Sequence, residues 1–165
     1  MAPRRDLGEN GGMNRLLQIA DAARERLWRI LKPRARGVKV MLFNWKEEIL
    51  LVRNSHGRTD LWVLPGGGVG PFESPSRAAC REIGEELDCL VEEIEPIAVY
   101  ASTPEEKRDT IHLFKALTED EPKPDRFEIE EARWYAMDDL PPGTSPATRR
   151  RVAEYLGERE RDESW

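Results

Sequence analysis

Residues 66–88 read GGGVGPFESPSRAACREIGEELD, where three consecutive glycines leave the apolar stretch LWVL and lead to a segment with three glutamates in five residues. Glycine lets backbone amides and carbonyls approach a ligand with no side chain between. Ser74 followed by Pro75 marks a helix start, because serine accepts from free backbone amides and proline tolerates the first helical position. A strand, a bare loop and a helix in direct succession confine the chain to a class that mixes both elements.

At about 100° per residue, Ser76, Ala79, Cys80, Ile83 and Leu87 share one arc of that helix, and Glu82, Glu85 and Glu86 share another. The spacing predicts a core face and an acid face. Carboxylates at i, i+3 and i+4 repel one another, at about 0.2–0.5 kcal/mol per pair in an isolated helix. Two readings of the acid face stand open: a solvated surface, or a cluster whose repulsion is offset by a hard divalent cation. Mg²⁺ and Mn²⁺ take oxygen ligands and keep coordination sites for water and phosphate. Next to the glycine loop, the second reading describes a floor and a wall for a metal-bound diphosphate.

Residues 37–44 (GVKVMLFN) and 48–54 (EILLVRN) predict a hairpin around Lys46 and Glu47. LWVL, 61–64, reads as a short strand, as do IEPIAVYAS (94–102), DTIHLFKAL (109–117) and ARWYAM (132–137). The acidic, proline-bearing stretch 119–131 reads as a loop, and 146–160 as a closing helix. Residues 13–32 place Leu16, Ile19, Ala20, Ala23, Leu27, Ile30 and Leu31 at the helical period, after a flexible tail, 1–12, and before Pro33. Strands and helices interleave without a regular βαβ repeat. The expectation is an α/β domain over 37–165, a mixed sheet covered by helices, with 13–36 as an added amphipathic helix and linker.

The net charge of −6 argues against a general nucleic-acid coat. A local basic run over 24–39 has seven Lys or Arg against one acid, Glu25. Such a helix can dock on an acidic membrane or a partner, but packing on its own domain is the commoner fate. No apolar run reaches the length of a membrane span, and the first twelve residues lack the apolar stretch of a secretory signal. Cys80 and Cys89 supply neither a disulfide framework nor a zinc set, which fits a reducing cytoplasm. His56 and His112 have no zinc or triad pattern, and no GxSxG elbow is present.

Gly67, Glu73, Arg81, Glu82, Ile83, Glu85 and Glu86 resemble the Nudix box in order and spacing. From residue usage, a chance match at those positions is on the order of one in ten thousand. The resemblance continues through WVLPGG before the box and EIEEARWYAMDDLPPGTSPATRRR after it, covering 37–156. Two residues depart from the family: Asp88 stands where it has a glycine at the helix end, and Phe72 where it has one before the first glutamate. Asp is among the few residues that tolerate the left-handed conformation a helix end demands. Phe72 alters the loop and leaves the acids in place.

The resemblance implies a Nudix-like α/β/α sandwich and an enzyme that cleaves a nucleoside diphosphate linked to another moiety, using water and Mg²⁺ or Mn²⁺. ADP-ribose-like compounds and nucleoside triphosphates both stay open as substrates, and a homodimer is common in the family. It also implies that Glu82, Glu85 and Glu86 hold metal together with a backbone carbonyl at Gly66 or Gly67, and that Gly66, Gly67 and Gly68 receive the diphosphate. Arg81 and Glu73 would pair to orient the helix against the loop.

Glu128, six residues before Trp134, stands where the resemblance implies that some members carry a further metal-binding or basic glutamate, and is the first choice for the base, with an ordinary loop acid as the alternative. Glu85, Glu86, Glu105 and Glu106 are other candidates for the base. Arg53 can grip a phosphate through its planar fork or form a surface salt bridge. Trp62 and Tyr100 can stack on a base or pack in the core. The rival class is a nucleotide sensor that does not cleave. Such modules commonly lose box acids, and this chain retains all three.

Overall fold

Along β1 (Arg36–Phe43), Val38, Val40 and Leu42 enter one core while Met41 and Phe43 enter another. Successive strand side chains point to opposite faces, so this strand must be covered on both. β2 (Ile49–Asn54) repeats the pattern, with Leu50 and Val52 on the first side and Ile49 and Leu51 on the second. β3 (Glu93–Ser102), β4 (Asp109–Leu117) and β5 (Ile129–Tyr135) complete a five-stranded sheet of order β3-β4-β1-β2-β5. β1 and β4 run parallel from Arg36↔Thr110 to Phe43↔Leu117, and the other neighbours are antiparallel.

The computed structural model describes residues 36–102 and 109–165. The tail expected over 1–12, the helix expected over 13–32, and the base candidates Glu105 and Glu106 lie outside the described residues. Helix α1 (Pro75–Leu87) seals one face of the sheet with Ala78, Ala79, Ile83 and Leu87. Helix α2 (Pro146–Tyr155) contributes Val152 and Tyr155 to the other face. The fold is an α/β/α sandwich around a mixed sheet.

Four details differ from the sequence reading. LWVL forms no full strand, because β1 and β2 pair only at Phe43↔Ile49 and then part. Val63 of LWVL and the residues after it fill the gap: Val63 exchanges two bonds of 2.9 Å with Val52 of β2, and Val38 and Val40 of β1 donate to the carbonyls of Gly67 and Pro65. β5 begins at Ile129 rather than Ala132, since the Asp125 carboxylate gathers the amides of Phe127, Glu128 and Ile129 and turns the chain into the sheet early. α2 stops at Tyr155, where Gly157 at φ +75° ends helical winding, instead of running on to 160. On α1 the buried arc includes Ala78 in place of Ser76 and Cys80, and it takes in Glu82 and Glu86. The acid face and the core face therefore overlap.

Candidate active site

α1 starts at Ser74, whose hydroxyl accepts from the Arg77 amide at 3.3 Å, with Pro75 as its first residue. It ends at Asp88, left-handed at φ 54° and ψ 34°, whose amide reaches the Gly84 carbonyl and whose carboxylate pairs with Lys123 at 2.9 Å. These caps fix the helix so that its last two turns lie against the glycine loop. Glu82 and Glu86 are only 8% and 7% exposed there, whereas the Glu85 side chain is 63% exposed.

Two glycines make the close approach available. A Cβ on Gly67 would lie 2.5 Å from the Glu82 carboxyl carbon, so the Glu82 carboxylate occupies the space a side chain would take. At Gly66, φ is +125°, and a Cβ would meet the Val38 carbonyl oxygen at 2.4 Å. The Gly66 amide donates to Glu86 Oε2 at 3.1 Å. A cleft of about 350 Å³ opens between this loop and α1, lined by Gly67, Gly68, Arg81, Glu82, Glu85 and Glu86 and closed on its far side by Asp125 and Glu128.

Arg81 organises the near wall. Its guanidinium grips both oxygens of Glu73 at 3.0 and 3.1 Å, a bidentate arrangement, and also reaches Glu82, Glu85 and the Gly68 carbonyl, each at 2.9 Å. The Arg81 hydrogen bonds hold the Glu73 carboxyl below the usual carboxylate range, assisted by the Gly70 amide. The bond to Glu73 is also the main reason that Arg81 clings to its proton more tightly than a free arginine.

The acids respond to burial. Desolvation pushes Glu86 up to about 7, with Glu82 and Glu128 adding repulsion and Lys39 and the Gly66 amide opposing it. Glu82 is raised for the same first reason, although Arg81 pulls it down. Glu128 thus belongs electrostatically to the same cluster. Among the described residues, no three acidic, histidine or cysteine side chains converge closely enough to form a closed cation cage. Arg81 holds Glu82 and Glu85 to one side, and Gly66 holds Glu86. The donor set fits a hard divalent ion by its chemistry, since every donor is an oxygen and burial leaves the acids short of neutralising charge.

Other candidate residues lie elsewhere. Arg53 ion-pairs with Glu131 and packs over the Trp62 ring, outside the cleft lining. Trp62 and Tyr100 are 9% and 1% exposed and sit in the core on the α2 side. His112 stands on β4, its pKa lowered by burial and by Arg36. Burial also pushes the Cys89 thiol up to about 11, which keeps it un-ionised at neutral pH.

Two residues escaped the sequence reading. Asp125 accepts the Glu128 amide at 2.9 Å and so sets where that glutamate emerges. Lys39 donates to the carbonyls of Leu64 and Gly66 at 2.8 and 3.1 Å, with burial lowering its pKa against the pull of Glu86 and Glu82. A lysine interrupting the apolar run of VKVMLF was the available signal for the second.

The NUDIX domain model matches residues 33–156, three quarters of the chain. The chain belongs to the NUDIX family. A Bacillus subtilis (strain 168) protein provisionally named an 8-oxo-dGTP diphosphatase is 32% identical over 120 residues, 72% of this chain and 78% of its own. A MutT NUDIX hydrolase structure from Burkholderia pseudomallei superposes with a TM-score of 0.62 at 28% identity, covering 73% of this chain and 97% of that one. The NUDIX domain of Shewanella oneidensis NrtR, solved with ADP ribose, has the same fold at 18% identity, with a TM-score of 0.64 over 79% of this chain and 91% of its own. This protein is a Nudix hydrolase, and no helix among its described residues is long and apolar enough to cross a membrane.

Proposed function

We propose that this Nudix hydrolase is a Mg²⁺- or Mn²⁺-dependent pyrophosphohydrolase that cleaves a nucleoside diphosphate linked to another moiety by attack of water on phosphorus. One observation carries the reading. Glu82 and Glu86, nearly withdrawn from solvent and both raised in pKa, face a glycine loop that admits the Glu82 carboxylate at Gly67 and leaves open space at Gly68. Buried carboxylates that destabilise one another are costly unless a ligand compensates them.

The ion's holders are drawn from Glu82, Glu85, Glu86 and Glu128, with the Gly66 carbonyl able to accept through its second lone pair. When bound, a divalent ion neutralises diphosphate oxygens and lowers the pKa of coordinated water. The chain supplies the rest. Gly67 and Gly68 let the diphosphate lie against bare backbone. Arg81, braced by Glu73, offsets the mutual repulsion of Glu82 and Glu85, and its charge is available to a phosphate at the cleft wall. Glu128 is the first choice to take the proton from water, because it faces the box acids across the cleft and its backbone is pinned by Asp125.

The Bacillus relative supports a nucleoside triphosphate as substrate, and the NrtR neighbour illustrates that the fold can seat ADP ribose. Pyrophosphate or phosphate release from 8-oxo-dGTP and dGTP, and formation of AMP and ribose phosphate from ADP-ribose, should be measured with and without Mg²⁺, using Glu86→Gln as control. Mg²⁺-dependent turnover of at least one compound, abolished by the control, is the expected result. Turnover without Mg²⁺, or undiminished turnover in the control, would defeat the reading.

A further inference from the structure

We infer that Lys39 is a positioning residue and the resident counter-ion of the acid cluster: from beneath the glycine loop, one ammonium group clamps that loop and offsets part of the charge of Glu86 and Glu82. The inference rests on the reading of these acids as the divalent-ion site. Lys39 lies on β1 between Val38 and Val40, yet its side chain joins neither apolar core. Its Nζ donates to the Leu64 carbonyl at 2.8 Å and to the Gly66 carbonyl at 3.1 Å. The same Gly66 gives its amide to Glu86 at 3.1 Å. Gly66 is therefore held at both ends of its polar backbone, by a cation on one side and a box carboxylate on the other.

That arrangement fixes the loop. Gly66 sits at φ +125°, a conformation with little intrinsic preference for one partner set, and the two bonds select it. Once Gly66 is fixed, Gly67 presents its bare Cα to Glu82. The arrangement also sets charge. Lys39 is coupled electrostatically to both Glu86 and Glu82, so a divalent ion entering the cleft meets a cluster one positive charge richer than the glutamates alone would make it. Lys39 weakens metal binding while keeping the ligands placed.

The test is Mn²⁺ binding by calorimetry to the full chain, alongside thermal melts of the metal-free proteins. Lys39→Met removes the charge and the donors. Lys39→Gln removes the charge and keeps a donor, so it guards against a Met variant that fails to fold. Lys39→Arg keeps the charge. Both neutral variants should bind Mn²⁺ about three- to tenfold more tightly than the unaltered protein, as expected when a like charge is taken from a half-buried site. Lys39→Arg should stay within about twofold of it. A lysine with only a structural duty would leave affinity unchanged or weaken it when lost. Unchanged or weaker Mn²⁺ binding in a folded neutral variant would overturn the inference while the site reading survives. No Mn²⁺ binding by the unaltered protein would overturn both.

Discussion

Phe72 is the residue at which this chain departs most visibly from its family. Gly70, Pro71, Phe72 and Glu73 form a turn closed by the Glu73 amide on the Gly70 carbonyl at 3.3 Å, with Phe72 at φ 63°. Proline second and a left-handed residue third is the type II pattern, which favours glycine in the third place. The Phe72 ring is fully exposed, so no packing offsets the strain. Phe72→Gly should stabilise the protein by about 1 kcal/mol in urea unfolding. Glu86 makes the opposite case, with conformation unstrained and charge out of place. Its carboxyl is raised from 4.5 to about 7, so the neutral form is favoured in the folded state. Its contribution to the metal-free protein is fully present below 4.5 and is lost as pH rises through about 7. Metal binding needs the ionised form, so stabilisation by Mg²⁺ should be larger on the alkaline side of that value than on the acid side. Melting curves across pH, with and without Mg²⁺, check both signs. Glu86→Gln should reduce the pH dependence in that window, leaving the part due to Glu82, and lower turnover by about a hundredfold or more.

At the scale of elements, the glycine loop is a hinge of contacts between β1 and α1, and its two critical glycines fail differently. A methyl on Gly66 would strike the Val38 backbone in a conformation that already disfavours side chains, so Gly66→Ala should cost about 3 kcal/mol. A methyl on Gly67 would strike the Glu82 carboxylate, the free end of a flexible side chain that can swing away. Gly67→Ala should therefore cost less than about 1 kcal/mol but sharply weaken Mg²⁺-dependent turnover. Equal stability losses in the two variants would contradict this account. The difference also marks what the sequence could say. The box spacing and the Ser-Pro start located the helix and its acids, because those signals are local. The overlap of acid and core faces depends on how α1 rolls against a sheet that the helix pattern does not describe. Lys39 and Asp125 were missed for a related reason: each acts through backbone groups far along the chain or around a turn, and a lysine inside the apolar run of β1 does not say which groups it reaches. The reading of LWVL as a strand failed because it forms only isolated bridges, Val63 with Val52 of β2 and Trp62 with Thr144, which a four-residue apolar run does not reveal.

Across the whole molecule, the sheet separates the catalytic candidates on the α1 side from a second polar cluster on the α2 side. Arg151 is completely buried there, with its guanidinium bonded to Glu154 at 2.7 Å and to the Ser164 carbonyl at 2.9 Å. Its guanidinium lies 4.0 Å from the centre of the Tyr100 ring and 5.5 Å from that of Trp165. Glu154 also accepts the Tyr100 hydroxyl at 2.8 Å and the Asp162 amide at 3.1 Å. Residues 163–165 then lie along β3, where Ala101 exchanges bonds of 2.8 and 3.0 Å with Glu163 and Trp165. One ion pair thus joins α2, β3 and the residues after α2. Removing one member leaves the other charge buried and unpaired, so Glu154→Ala should cost about 3–5 kcal/mol. Replacing both, as in Arg151→Met with Glu154→Leu, should cost clearly less than Glu154→Ala alone, because no charge is then stranded. The sheet is shared, so unfolding should remain one cooperative transition in each variant. Mn²⁺ affinity measured well below the unfolding midpoint should stay unchanged, since no member of the cluster lines the cleft. A double variant as unstable as the single one would show that the contacts of the ion pair, rather than charge compensation, hold this side of the molecule together.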